Sequence, residues 1–237
     1  YWLGRYTWFM LVLWTAIVGA LFLFNFMSIR KEFPALARLE AIASFNKDVV
    51  YRRWGTIHGG VYVPVTEKTP SNIYLKVQER DISTPSGKKL TLVNPAYMTR
   101  QAHELGKEQY GLKGHITSLK PLNPGNAADP WETEALKSFE HGKLEVATVA
   151  TIDGKPYFRL IRPFITEEGC LKCHAHQGYK VGDIRGGISL AVPMKPYFAA
   201  AKRRIVQIAI GLAFLWLLGA GGLLVGMGRI RNRIREK

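Results

Sequence analysis

Cysteine is scarce: the 237 residues contain two, Cys170 and Cys173. That excludes a disulfide framework standing in for a hydrophobic core, and a zinc site built from two C-x-x-C pairs. Acidic residues are also few, 18 against 33 Lys and Arg, leaving a net charge of +15. Charge of either sign is missing altogether from Tyr6 to Ile29 and from Ile205 to Gly228, 24 residues each. About 20 apolar residues suffice to cross a bilayer as a helix, so a simple soluble protein is excluded.

Two spans place both termini on one side of a membrane. The segment Arg229–Lys237 holds five basic residues and one acid, and short basic segments stay cytoplasmic. The expected order is a transmembrane helix at 6–29, a domain at 30–204, a second transmembrane helix at 205–228 and a basic cytoplasmic tail at 229–237. Arg30, Lys31 and the Lys202–Arg204 cluster argue for the opposite orientation, but a segment of about 175 residues translocates largely regardless of charge. The expected location is the bacterial inner membrane, passed twice, with the central domain in the periplasm. The first apolar run is too long for a signal-peptide core and lacks a small-x-small cleavage site, so it reads as an uncleaved anchor. A chain beginning at Tyr1 is expected to lack some preceding residues. The glycines of the second span, Gly211, Gly219, Gly221, Gly222, Gly226 and Gly228, suit close packing against the first span or a second protomer. No basic–aromatic RNA motif or recognition helix accompanies the positive charge. The expected partner is the bilayer, not nucleic acid.

Between the spans the pattern is mixed. Phe33, Leu36, Leu39, Ala43, Val50, Trp54, Ile57 and His58 trace one helical face, with Pro34 near its start and Gly59-Gly60 at its end. Val61–Val65 is short and extended, and Pro64 suggests an edge. A polar loop follows through residues 67–72. Then come a strand turning into a helix at Pro95–Leu105, another strand, and a helix from Asp129-Pro130 through Phe139. Two β-branched and aromatic segments flank Asp153-Gly154, the favoured type I′ hairpin pair. A last strand, Gly186–Met194, leads helically into the second span. The fold expected is α+β: a PAS- or Cache-like domain with an antiparallel sheet, inserted between two transmembrane helices.

Both cysteines fall in Cys170-Leu171-Lys172-Cys173-His174, the C-x-x-C-H pattern of c-type haem attachment. Two thiols at this spacing reach the two vinyl groups of one porphyrin, and His174 then meets the iron. Zinc would need two ligands beyond the C-x-x-C pair, with His174 and His176 alone nearby. A thioredoxin-like redox pair would want a βαβ setting, and a structural disulfide is open to any oxidising compartment. Covalent haem c, one per chain, is the expectation; it requires export, as the charge pattern does.

For the distal iron position the leading candidate is His58, followed by Met98, with an open site as the third case. Met194 is also available. His103, His115, His141 and His176 lie in polar surroundings. Haem propionates call for cations, and Arg52, Arg53, Arg100, Arg159 and Arg162 are candidates, Arg162 and Arg100 foremost because they neighbour other proposed contacts.

Four blocks, "YRRWGTIHGGVYVPVTEKTP", "LVNPAYMTRQ", "NPGNAADPWE" and "CLKCHAHQGYKVGDIRGGISLAVPM", resemble the extracytoplasmic haem-c sensor domain found at the N-terminus of many bacterial membrane histidine kinases. The resemblance covers about Phe33 to Met194. It implies a PAS-like fold with one covalent haem that senses redox state or a small ligand, with Cys170, Cys173 and His174 in the attachment and proximal roles. A relative in that family uses a distal cysteine; this chain has none to spare. The expected function is a membrane haem-c protein, a periplasmic redox or small-ligand sensor signalling across the membrane as a homodimer. The alternative is a monohaem cytochrome serving a larger membrane complex in electron transfer. No acid–base constellation marks an enzyme; a kinase domain following Lys237 in a longer chain would make this its sensor part.

Overall fold

The computed structural model describes residues 2–236, without the side chains of Lys172 and Cys173. The Cys173 thiol and the Lys237 end of the expected tail therefore lie outside the described residues. The chain divides into two compact units, 1–36 with 195–237, and 37–194.

The first unit pairs the N-terminal part of helix α1 (Trp2–Ile57) with α5 (Lys195–Arg235). Both helices are long and apolar enough to cross a membrane, and they leave large side chains such as Trp8 and Phe24 open on their surface. Trp14 donates its indole N–H to the carbonyl of Trp216 at 3.2 Å, and Trp216 donates to Thr15 Oγ1 at 2.9 Å. A side chain at Gly219 would strike the Trp14 ring, whereas Gly211, Gly221, Gly222, Gly226 and Gly228 meet nothing. Arg204 closes the pair with both oxygens of Glu32 at 2.8 Å. Pro34, expected near a helix start, lies inside α1. Its one missing N–H is outweighed by the strong helix formers that follow, Ala35 to Ala41.

The second unit is α+β with two antiparallel sheets. Strands β1 (Val61–Pro64), β2 (Asp81–Ser83) and β3 (Lys89–Val93) form the smaller, in the order β1-β3-β2. Pro64, which cannot donate, falls on an edge strand. The larger sheet runs β4-β7-β6-β5, from β4 (Lys113–Thr117), β5 (Val146–Ile152), β6 (Lys155–Ile165) and β7 (Ile184–Pro193). The β5–β6 turn has positive φ at both Asp153 and Gly154, 52° and 73°, as type I′ requires.

Helix α2 (Pro95–Tyr110) begins at Asn94, whose Oδ1 accepts from the N–H of Tyr97. It runs five residues beyond the expected end because its stop is Gly111, at φ 72°, and not Gly106. Helix α3 (Pro130–Glu140) opens on a reciprocal cap between Asp129 and Glu132.

Residues of β6 alternate in direction. On one face Ile161 packs with Ala135, Leu136 and Phe139 of α3. On the other, Arg162 lies over the ring of Phe45, and Arg52 lies over the ring of Phe164, both from α1. The larger sheet thus sits between α3 and the C-terminal half of α1. Leu160, Ile161, Ile188, Leu190 and Val192 of the two central strands are fully buried.

Candidate functional site

The C-x-x-C-H motif rides on an excursion between the two central strands. Its neck is pinned twice: Thr166 donates its N–H to Asp183 and accepts from Gly182, each at 2.9 Å. Within it, α4 (Glu168–His174) is a short helix. Gly169 is the point at which α4 reaches α1, because a Cβ there would run into the Thr56 methyl group. Cys170 is a half-buried free thiol whose sulfur accepts from the N–H of Glu167 at 3.4 Å.

His174 is held by a relay. Gln177 donates its Nε2–H to the carbonyl of Lys120 at 3.0 Å, so its Oε1 faces the imidazole. His174 Nδ1 lies 2.6 Å from that oxygen and must be the donor. Nε2 therefore keeps the lone pair, the form in which histidine binds a metal. Burial, and then the positive charge of Arg185, push this imidazole down to about 4. The ring is neutral at pH 7.

His174 lines a cavity of about 540 Å³, within the range of sites that enclose a small molecule or cofactor. Leu75, Tyr97, Ile116, Leu122 and Phe164 supply apolar walls. Five cations also line it, Arg52, Lys76, Arg100, Lys120 and Arg185, and among the described residues no Asp or Glu does. Arg52 is buried, with Nε and Nη1 lacking any partner among the described residues. Its guanidinium carbon lies 4.4 Å from the Phe164 ring centre, and that of Arg185 5.2 Å from the same ring. Burial, with Arg185 adding to it, lowers Arg52 to about 10.

Of the expected site residues, the cavity gathers His174, Arg52 and Arg100; Arg100 also lies over the Tyr97 ring at 4.8 Å. Arg162 is elsewhere, bound to Glu145 at 2.9 Å. His58 is exposed at the end of α1, its Nδ1 on the carbonyl of Trp54 at 2.8 Å and its ring stacked on that indole. Met98 lines a separate hollow with Val61, Val63 and Pro95. Arg159 binds Asp129 at 2.6 Å, Arg53 is exposed, and Met194 is fully buried. His176 is exposed, as expected, and also lines the cavity. Arg185 escaped the sequence reading; its one signal was a cation directly before Gly186-Gly187 at the start of a buried strand.

The profile of Tll0287-like domains matches residues 37–193, two thirds of the chain. The chain belongs to the Tll0287-like family. The crystal structure of the cyanobacterial heme-protein Tll0287 aligns with a TM-score of 0.42 at 18% identity, over 65% of this chain and 92% of that one. No curated protein matches. The Tll0287-like residues 37–193 carry the whole excursion and every residue that lines the cavity.

Proposed function

We propose that this Tll0287-like domain holds one haem c, attached through Cys170 and Cys173 with His174 as the axial ligand. The observation that carries the proposal is the meeting of a neutral, oriented His174 with an acid-free, cation-lined cavity of about 540 Å³. The residues present fit the group: apolar walls for a macrocycle, an imidazole with its lone pair on Nε2, and buried guanidinium N–H groups for carboxylates. Bound there, haem supplies a one-electron couple and an axial position for a small ligand. The protein's part is to orient His174 through Gln177, enclose the macrocycle and balance its carboxylates.

The same proposal takes the apolar runs 6–29 and 205–228 as membrane spans, 229–237 as a cytoplasmic tail, and 30–204 as a PAS- or Cache-like periplasmic domain. The function is sensing of redox state or a small ligand, in a homodimer. Sensing is favoured over electron carriage by α1, one helix that carries the first apolar run and also Arg52 of the cavity wall. A change in ligation needs such an element with two arrangements of different energy.

The test is to produce the full chain with a c-type maturation system and look for haem that survives denaturation. The expected result is one haem per chain, retained in SDS; the Cys170→Ala variant keeps a single thioether and shifts the reduced pyridine haemochrome band. A wild-type protein without haem bands sinks the proposal. A clear spectral shift with CO supports small-ligand sensing, whereas indifference to CO supports redox sensing or the electron-carrier alternative.

A further inference from the structure

The cavity wall holds a buried cation with unmet donors. Arg52 and Arg185 converge on the ring of Phe164, and Arg52 has two buried nitrogens, Nε and Nη1, with no acceptor among the described residues. The carboxylate nearest along its own helix, Asp48, is bonded to His103 Nε2 at 2.7 Å and reaches Arg52 only through space. A buried guanidinium with unmet N–H groups is costly unless an anion completes it, and the planar fork suits a carboxylate bidentately. His174 opens onto the same cavity, so the anion and the iron ligand share one chamber.

Resting on the haem reading, we infer that Arg52, backed by Arg185, is the clamp for one haem propionate, a role in which the sequence alone favoured Arg162 and Arg100. Arg162 is already neutralised by Glu145 and lines no part of the cavity. The clamp places the cofactor's negative charge against α1. Arg52 is a positioning residue: it sets the ionisation of the propionate and, through it, the potential of the iron.

The experiment uses the full haem-loaded chain in detergent, with Arg52→Gln, Arg52→Lys and, as a control one residue away on the exposed surface, Arg53→Gln. Three readouts are taken: haem per chain, midpoint potential across pH 5 to 9, and the propionate bending bands in resonance Raman. Arg52→Gln is expected to keep one haem per chain but to lower the midpoint potential, because losing a nearby cation favours the ferric state. It also gains a pH-dependent segment below pH 7 as the unclamped propionate protonates. Arg52→Lys, which keeps the charge without the fork, gives a smaller shift in the same direction and preserves a folded variant should Arg52→Gln fail to accumulate. Arg53→Gln matches the wild type.

Haem-loaded Arg52 variants with unchanged potential, pH profile and propionate bands overturn the clamp while leaving the haem reading intact. A wild-type potential that responds to added acetate or phosphate, with the response lost in Arg52→Gln, assigns the site to a free anion and overturns the propionate assignment. Absence of haem from the wild type overturns both readings together.

Discussion

His115 on β4 gives its Nδ1–H to Glu132 Oε2 at 2.9 Å while its Nε2 faces the carbonyl of Gly125 at 3.1 Å. Two acceptors on one imidazole require both nitrogens to carry protons, so the ring is an imidazolium. Gly125 belongs to the turn whose neighbours Asn123 and Asn126 line the cavity, and Glu132 is buried at the start of α3. The pair therefore fastens one wall of the cavity to the helix behind the sheet.

Stability should follow the charge of that pair. The hydrogen bond to Glu132 raises His115 above its ordinary value, against the opposing pull of burial. Its contribution is complete below about pH 6.5, the unfolded value, and is lost as pH climbs through the folded one. Burial would raise Glu132, but hydrogen bonding and charge from His115 outweigh it and lower the carboxyl. That contribution is present above about pH 4.5 and lost as pH falls through the folded value. Thermal unfolding of the full chain should show highest stability between about pH 5 and 6.5. His115→Gln should cost about 1 kcal/mol there, a figure kept low because the ring is partly exposed, and flatten the decline toward pH 8.5. An unaltered alkaline decline in the variant refutes the account.

The contact of Gly169 with Thr56 offers a test of how the motif helix is seated. Gly169→Ala pushes a methyl into Thr56 Cγ2 and should cost about 1–3 kcal/mol, as overpacking does. Thr56→Ser removes the obstructing methyl yet keeps the hydroxyl that donates to the Arg52 carbonyl at 2.9 Å. Urea unfolding should therefore find the double variant more stable than Gly169→Ala alone, a coupling that independent sites do not show.

What could be read without the structure was local. The Asp153-Gly154 turn, the helix starts at Pro95 and Asp129-Pro130 and the C-x-x-C-H motif are decided by adjacent residues, and the chain keeps each as a turn, a helix start or a motif. Facing is another matter. Arg52 and Arg53 are neighbours, and one is buried in the cavity wall while the other is in solvent, a choice set by the phase of α1 against β6, more than 100 residues away. Arg162 stands close to the motif in sequence and shares the Phe164 face of β6, but its place along the strand sets it over Phe45 and against Glu145. β2, Asp81-Ile82-Ser83, is too short for its one alternation to mark a strand and exists through its pairing with β3.

Gln177 should matter as much as some direct ligands. Gln177→Leu removes the acceptor of the His174 Nδ1–H and lets the imidazole rotate and exchange tautomers. In the haem-loaded protein the axial bond should weaken by about 10–100-fold, the usual cost of deleting such a partner. Acid titration followed in the visible spectrum measures it: the variant should lose its His-ligated bands at higher pH than the wild type. Coincident titrations would mean that the relay to Lys120 has no part in ligation.

The distal candidates can be decided by substitution. His58 offers Nδ1 to a carbonyl one turn back, stacks on Trp54 and is exposed, so it lies outside the cavity that His174 lines. Met98 points into a different hollow, among Val61, Val63 and Pro95. For either to reach the iron, α1 would have to unwind at its end or α2 would have to turn about its axis, against the bonds of Tyr97 to the Pro70 carbonyl and of His103 to Asp48. His58→Ala and Met98→Leu should therefore leave the oxidised, reduced and CO-treated spectra of the haem-loaded chain unchanged. A conversion from low to high spin in one of them would identify that residue as the distal ligand. It would also mean that loading rearranges the helix that carries it.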